Sequence, residues 1–157
     1  MSWKLQAAEM KSTYITEEDI WKSIHYFFYH SKTTTTYKYG FFKALLENVA
    51  NANEKKELSY NELFYSFSKI YWNLVVHHQL WQSNSSSQLS SVQKTIIEFQ
   101  QKHTIPNEWN FDQIPIGLQN ELVKQVKKVG KKYVVGALYG DFNGEIYSFE
   151  LKKDYLN

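Results

Sequence analysis

Apolar and polar positions alternate along most of the chain with the period of an α-helix. Ile20, Ile24 and Phe28 recur every fourth residue, so their side chains share one face of a helix. The stretch TEED, from Thr16 to Asp19, precedes this stripe with the spacing of a capping box in which Asp replaces the usual Glu. The pattern therefore predicts a first helix over residues 17–30.

A second helix is predicted directly after a run of four threonines at positions 33–36. Tyr37 and Phe41 begin a broad apolar face over residues 37–50, and one of the threonines is expected to cap the helix. Gly40 lies inside this helix, where glycine costs about 1 kcal/mol relative to alanine. Close helix packing or close approach of a ligand backbone would each explain this glycine, and we favour packing.

The clearest helix start in the chain is at Ser59. Ser59 and Glu62 have the spacing of a full capping box, and Leu58 with Leu63 forms the matching hydrophobic staple. The residues that follow are nearly all aromatic or apolar. We therefore predict a helix over residues 60–81 and expect it at the centre of the fold.

Two further helices are predicted in the second half of the chain. One covers residues 88–102. The other carries Leu118, Leu122 and Val126 at helical spacing, and it is expected to end at Gly130, where a C-terminal cap belongs.

The hydrophobic period changes after this last helix. Residues 132–139 and 145–151 are rich in β-branched and aromatic side chains, and they flank the turn-forming stretch GDFNG at positions 140–144. Two such runs on either side of a short glycine-containing turn are typical of a β-hairpin. A lone hairpin is marginal in water, so we expect it to pack on the helices.

Together these elements predict an α+β fold that is mainly α. About five helices are expected to pack in a bundle-like core, and the hairpin is expected to follow them at the C-terminal end of the sequence. The length of 157 residues fits one domain. We expect that domain to span residues 1–157, with helices over 14–130 and the hairpin over 131–152.

Composition narrows the classes of function. The formal net charge is only +2, and the sequence contains no arginine, the residue that most often reads guanine edges. It also contains no cysteine, so disulfides and cysteine-based zinc sites are excluded. Because neither a signal peptide nor a membrane-spanning apolar run is apparent, we expect a cytoplasmic protein with no membrane partner.

The sequence contains no recognisable catalytic motif. Its five histidines lack the spacing of a His-Glu-x-x-His site, and no nucleophile elbow, phosphate-binding loop or dinucleotide fingerprint occurs. We therefore predict no catalytic residues, no metal site and no cofactor in this chain.

Two groups of lysines are candidates for contact with nucleic-acid phosphates. The first group shares a helical face or lies just beyond it, and it comprises Lys124, Lys127, Lys128, Lys131 and Lys132. The second group lies beside the threonine run among tyrosines, a mixture suited to base stacking and phosphate contact, and it comprises Lys32, Lys38 and Lys43. The alternative for the first group is an ordinary solvated helix face.

Two runs of sequence carry a resemblance to a known family. Residues 20–24, IWKSI, and residues 36–47, TYKYGFFKALLE, resemble the N-terminal region of bacterial HNH endonuclease-domain proteins. The similarity extends over residues 14–81 and includes the capping box that begins at Ser59. Gly40 stands where that family usually has alanine, and the histidines and asparagine of the HNH motif have no counterparts in the predicted hairpin.

The resemblance implies a non-catalytic accessory domain of an HNH-type endonuclease with a restriction or anti-phage role. Such a domain would position DNA or mediate assembly, and its partners would be DNA or a downstream HNH catalytic domain. On this hypothesis the chain is part of a longer nuclease or a stand-alone relative. The alternative is a protein-interaction module, such as a small partner or inhibitor, that acts through exposed aromatic side chains and could form a homodimer.

Overall fold

The computed structural model describes residues 16–30, 36–80, 90–142, 144, 146–150 and 152–156. In chain order their α-helices are α1 (Glu17–His30), α2 (Tyr37–Asn48), α3 (Tyr60–Trp72), α4 (Ser91–Lys102), α5 (Ile116–Tyr133) and α6 (Val135–Asp141). Shorter helical turns are the 3-10 turns Val49–Asn51 and Phe111–Gln113 and the π turn Asn73–His77. Two short strands, β1 (Leu58–Ser59) and β2 (Tyr155–Leu156), form an antiparallel pair. The predicted fold class, α+β and mainly α, is confirmed.

Helix α3 lies at the centre of the core, as its aromatic composition predicts. Leu63, Phe64 and Phe67 are fully buried on it, and α2 and α5 both pack against it. Ser59 caps α3, but its hydroxyl accepts from the Asn61 amide at 3.2 Å and not from the Glu62 amide, as the predicted capping box requires. The helix ends earlier than predicted, because the backbone changes to a π turn after Trp72.

Asn73, the first residue of the π turn, takes part in two hydrogen bonds. The Asn73 side-chain oxygen accepts a hydrogen bond from the Phe111 amide at 2.8 Å, and the His78 amide donates to the Asn73 carbonyl at 2.8 Å. Asn73 therefore connects the end of α3 to the loop before α5. The predicted residue 81 lies outside the described residues.

Helix α1 has the predicted bounds and the predicted cap. The Asp19 amide donates to the Thr16 hydroxyl oxygen at 3.2 Å, and the Asp19 carboxylate accepts from the Thr16 amide at 3.0 Å. Both hydrogen bonds of a capping box are thus present. The pKa of Asp19 is lowered most by a further hydrogen bond that its carboxylate accepts from the Thr16 hydroxyl at 2.6 Å, and then by the bond from the Thr16 amide. Burial raises this pKa by less, and the charge of Lys22 also lowers it.

The remaining helix starts agree less closely with their predictions. Thr36 precedes α2 but makes no side-chain capping bond, and the other threonines of the run lie outside the described residues. Helix α4 begins at Ser91 rather than at residue 88, and the Ser90 hydroxyl caps it by accepting from the Gln93 amide at 3.2 Å.

The predicted C-terminal hairpin is wrong. Helix α5 continues through Gly130 to Tyr133, and most of the first predicted strand forms α6. Val134, Val135 and Leu138 are fully buried, and their spacing places them on one side of a helix, whereas on a strand Val135 would lie on the opposite face. The observed strands lie elsewhere, with Leu58 opposite Leu156 and Ser59 opposite Tyr155.

The predicted C-cap at Gly130 is wrong for the same reason. Gly130 lies inside α5 and is buried. A Cβ atom at this position would lie 2.2 Å from Cε1 of Phe64 on α3. The glycine therefore allows close approach of α5 to α3 and does not end the helix.

Gly40 on α2 has the packing role that we favoured. Its backbone faces Phe67, Ile70 and Tyr71 of α3, and a Cβ atom there would lie 3.4 Å from the Phe67 ring.

None of the helices in the described residues combines the length and apolar character that crossing a bilayer requires.

Candidate functional site

Four of the predicted lysines follow one side of helix α5. Lys124, Lys127, Lys128 and Lys131 are spaced three and four residues apart, so they lie on neighbouring turns of the same face. We call this set the α5 lysine row. Lys124 and Lys128 are exposed, and the other two are half-buried.

The half-buried members of the row have uncharged partners. The Lys127 ammonium donates to the side-chain oxygen of Asn61 at 2.6 Å. The Lys131 ammonium donates to the Lys153 carbonyl at 2.7 Å and lies 4.4 Å from the centre of the Tyr60 ring. Because these partners carry no negative charge, the positive charge of the row is not neutralised by them.

Lys132 lies just outside the row. Its ammonium is 4.9 Å from the centre of the neighbouring Tyr133 ring, in a cation–π contact at the surface. It adds positive charge at the C-terminal end of α5.

The second predicted lysine group does not join this surface. Lys38 forms an ion pair with Asp141 at 2.7 Å, and both side chains are mostly buried, so the pair connects α2 to α6. Lys43 forms an ion pair with Glu47 one turn along α2. A phosphate group would have to displace a carboxylate from either lysine. Lys32 lies outside the described residues.

An open groove runs beside the α5 lysine row. It lies between the C-terminal end of α2, α3 and α5, and its volume is about 600 Å³. Lys124 and Lys127 form part of its α5 wall, and Glu62 is the one acidic residue among the described residues that line it. Most of the other lining groups are amides and hydroxyls, contributed by Asn48, Asn51, Asn61, Asn120, Tyr65 and Ser66. We call it the α3–α5 groove.

A hydrogen-bond network around Asn48 holds the floor of the groove. Asn48 is buried, and its amide nitrogen donates to the Ala44 carbonyl and to the Ser66 hydroxyl, each at 2.8 Å. Its side-chain oxygen accepts from Asn51 at 3.2 Å. A buried carboxamide with all of these partners is fixed in one orientation, so the floor is rigid.

A second network holds the Tyr65 wall. The Tyr65 hydroxyl donates to the side-chain oxygen of Gln119 at 2.9 Å, and its ring meets Phe111 edge to face at 5.4 Å. Gln119 is itself buried, and its amide donates to the carbonyls of Phe111 and Ile114 at 3.2 and 2.8 Å. The tyrosine ring is therefore held in place before any ligand arrives.

The asparagines of the groove were missed by the reasoning from sequence. They come from α2, from the turn after it, from α3 and from α5. No spacing rule links positions so far apart in the chain. Only the lysines of α5, which share a helical face, carried a signal for this region.

The histidines of the described residues contact other groups, and the rings of His77 and His78 lie 4.7 Å apart, measured between ring centres. Nδ1 of His77 lies 2.9 Å from the Glu108 carbonyl, and Nε2 of His103 lies 3.5 Å from the Glu121 carboxylate. His25 and His30 stack on Tyr29 and Tyr26 along α1. In this part of the chain no three histidine or acidic side chains converge in a group that could hold a metal ion.

A second surface of a different kind lies on α1. Phe27 is fully buried, but its neighbours on the helix are not: Trp21 is 58% exposed, Phe28 50% and Tyr29 77%. Ile20, in the predicted apolar stripe, is also 40% exposed. We call these four exposed side chains the α1 face.

The fold and these two surfaces define a mainly helical α+β protein with a polar groove flanked by lysines. Comparison of the chain with protein-family models, with curated proteins and with solved structures finds no match.

Proposed function

We propose that this chain is a non-catalytic nucleic-acid-binding module that positions DNA or assists assembly, as an accessory domain of an HNH-type endonuclease would. The observation that carries the proposal is the α5 lysine row beside the α3–α5 groove. Among the described residues the row has no carboxylate partner, so its ammonium groups are available to phosphates. The sequence resemblance at residues 20–24 and 36–47 supports the nuclease context.

The chemistry of the row suits the phosphate backbone rather than base edges. Lysine is a compact point charge that binds phosphate, whereas bidentate readout of guanine is usually made by arginine, which this sequence lacks. The proposed contact therefore sets position along the nucleic acid and not sequence preference.

The salt dependence of binding tests the proposal. Each phosphate neutralised on duplex DNA adds about −0.9 to the slope of log affinity against log salt, so four lysines give a slope of about −3.6. We expect the double variant K124Q/K128Q to retain about half of that slope when fluorescence anisotropy is measured between about 50 and 200 mM salt.

The double variant K22Q/K94Q is the matched control. Lys22 and Lys94 are exposed, as Lys124 and Lys128 are, but they lie on α1 and α4 in i,i+4 ion pairs. The control removes the same charge and is expected to leave the slope unchanged. A wild-type slope near zero, or an equal loss in both double variants, would contradict the proposal.

The exposed aromatic side chains of the α1 face support a second candidate function, that of a protein-interaction module. Aromatic side chains bury about 150–250 Å² each when fully covered. From their exposed fractions, the four side chains of the α1 face therefore expose about 400 Å². Two copies joined through this face would bury about 800 Å² in total, which is the size of a weak, transient interface. We infer that the partner is a second copy of this chain, paired through α1.

Sedimentation of the purified chain tests this second candidate. We expect a concentration-dependent dimer that Trp21→Ser together with Tyr29→Ser converts to a monomer. Tyr155→Ser is the control, because Tyr155 is 46% exposed but lies on β2. A wild-type chain that stays monomeric at high concentration would rule out the self-pairing.

A further inference from the structure

We propose that the α3–α5 groove binds one unstacked nucleotide of a single strand, with the base against the amide groups and a phosphate against Lys124 and Lys127. This inference rests on the proposed function, because the groove lies beside the lysine row that would hold the strand. It adds a preference for unpaired over duplex nucleic acid, which phosphate contact alone does not provide.

The size of the groove suits a nucleotide. Its volume of about 600 Å³ falls within the range of small-molecule sites. A base inside a duplex reaches such a site only after unpairing and unstacking, which costs a few kcal/mol, whereas a base in a single strand does not pay for unpairing. The groove should therefore favour single strands.

The polar groups that remain available can recognise the edge of a base. The Asn61 side-chain oxygen accepts the hydrogen bond from Lys127, and the amide nitrogen of Asn61 remains available as a donor. Asn51 donates to Asn48 and keeps its own oxygen as an acceptor. Asn120 has no side-chain hydrogen-bond partner among the described residues that line the groove. Its side chain therefore offers both a donor nitrogen and an acceptor oxygen. A carboxamide pairs with donor and acceptor atoms in the plane of a base.

The charge balance distinguishes a nucleotide from a neutral sugar or peptide. Among the described residues that line the groove, two carry ammonium groups, Lys124 and Lys127, and one carries a carboxylate, Glu62. The excess positive charge suits a ligand with a phosphate, and the Glu62 carboxylate can accept from an exocyclic amino group.

The groove is also rigid before binding. The Asn48 network holds the floor, and the hydrogen bond from Tyr65 to Gln119 fixes an aromatic wall. A preformed site loses little conformational entropy when a ligand enters. Base contact with an aromatic side chain adds affinity without strong dependence on the identity of the base.

The test compares two fluorescent oligonucleotides of equal length and charge. One is ordinary single-stranded DNA, and the other carries an abasic site at every position. We expect the wild-type chain to bind the strand with bases about tenfold more tightly, within the range measured for one base–protein contact. The variant N61L/N120L should bind both strands with the affinity of the abasic one and with an unchanged salt slope.

The control is Q101L/N107L, which removes two exposed amides from a smaller pocket beside α4. Asn61 and Asn120 are exposed, so their replacement should leave the fold intact, and far-ultraviolet circular dichroism checks this. Equal wild-type affinity for the two strands would overturn the groove assignment but leave the proposed function standing, since phosphate contact persists. Salt-independent or absent binding of both strands would overturn both.

Discussion

At single positions, glycine decides how closely the central helices approach. The two buried glycines are not equivalent, because a methyl group at Gly130 would overlap the Phe64 ring, whereas one at Gly40 would meet Phe67 at 3.4 Å. A gap of 3.4 Å needs only a small adjustment of the neighbouring ring. Gly130 therefore determines the distance between α3 and α5, and so the width of the groove between them.

The substitution Gly130→Ala should destabilise the protein by about 3 kcal/mol, because overpacking a filled core forces side chains and backbone to move. Gly117→Ala on the same helix is the control, since nothing lies within 4 Å of a Cβ atom there. That change should stabilise by up to about 1 kcal/mol through helix propensity. Urea unfolding measures both, and similar effects of the two changes would contradict the steric role of Gly130.

Tyr60 makes the free energy of unfolding depend on pH in the alkaline range. Burial raises the pKa of the Tyr60 phenol to about 12, above its value of about 10 in the unfolded chain. The phenol therefore stays neutral in the folded state while it ionises in the unfolded state. Its contribution to stability is complete below about pH 10 and is lost as pH rises towards about 12.

The variant Tyr60→Phe should lose less stability than the wild type between about pH 10 and about pH 12. Among the described residues the Tyr60 hydroxyl has no hydrogen-bond partner, so its removal should cost little at neutral pH. Burial also raises the pKa of Tyr147, so part of the alkaline loss should remain in the variant. Identical pH profiles for both proteins, measured by urea unfolding, would exclude this role of Tyr60.

At the level of elements, α1 has one buried residue, the aromatic Phe27. The Phe27 ring lies 5.3 Å from Tyr39, 5.6 Å from Phe42 and 4.9 Å from Phe142, measured between ring centres. Ile24 is half-buried and also packs against the core, and the half-exposed Phe28 ring lies 5.7 Å from the Tyr39 ring and 6.2 Å from the Phe42 ring. Trp21, Tyr26 and Tyr29 are more than half exposed. This attachment explains how a capped, well-formed helix can leave much of its apolar stripe uncovered.

The substitution Phe27→Ala should therefore release α1 from the core. We expect a loss of about 3–5 kcal/mol, typical of a buried phenylalanine, and faster amide hydrogen exchange across residues 17–30 than in α3. Tyr29→Ala is the matched control, because Tyr29 is 77% exposed and should cost little. Unchanged exchange in α1 of the Phe27 variant would show that other contacts hold the helix.

Over the whole molecule, the C-terminal strand connects segments that are distant in sequence. Leu156 is buried and lies opposite Leu58, and the Tyr60 amide donates to the Asp154 carbonyl at 2.9 Å. Lys131 of α5 donates to the Lys153 carbonyl. The segment 153–156 therefore joins the start of α3 to the end of α5.

Deletion of residues 154–157 should lower the thermal midpoint, because it removes the strand pairing and uncovers Leu58. We expect a loss of about 2–5 kcal/mol from the buried leucine alone. Deletion of Asn157 alone is the control and should leave the midpoint nearly unchanged. Equal midpoints for the two deletions, measured by calorimetry, would show that β2 contributes little to stability.

Local patterns in the sequence were sufficient for several features of the fold. The capped start of α1 at Thr16, the capped start of α3 at Ser59 and the shared face of the α5 lysines were all predicted and are observed in the described residues. These features depend on residues within one or two helical turns, so the interactions that create them are already present in the local sequence.

Other features were decided only by contacts between distant segments. Residues 131–142 had patterns compatible with a strand or a helix, and burial of Val134, Val135 and Leu138 in the core selects the helix. Lys38 was predicted to contact phosphate, but it forms an ion pair with Asp141, a residue far along the chain. The asparagines of the α3–α5 groove likewise meet only after three helices have packed. Sequence alone thus determined where α1 and α3 begin, while the tertiary structure decided which side chains share a surface, because that depends on which segments pack together.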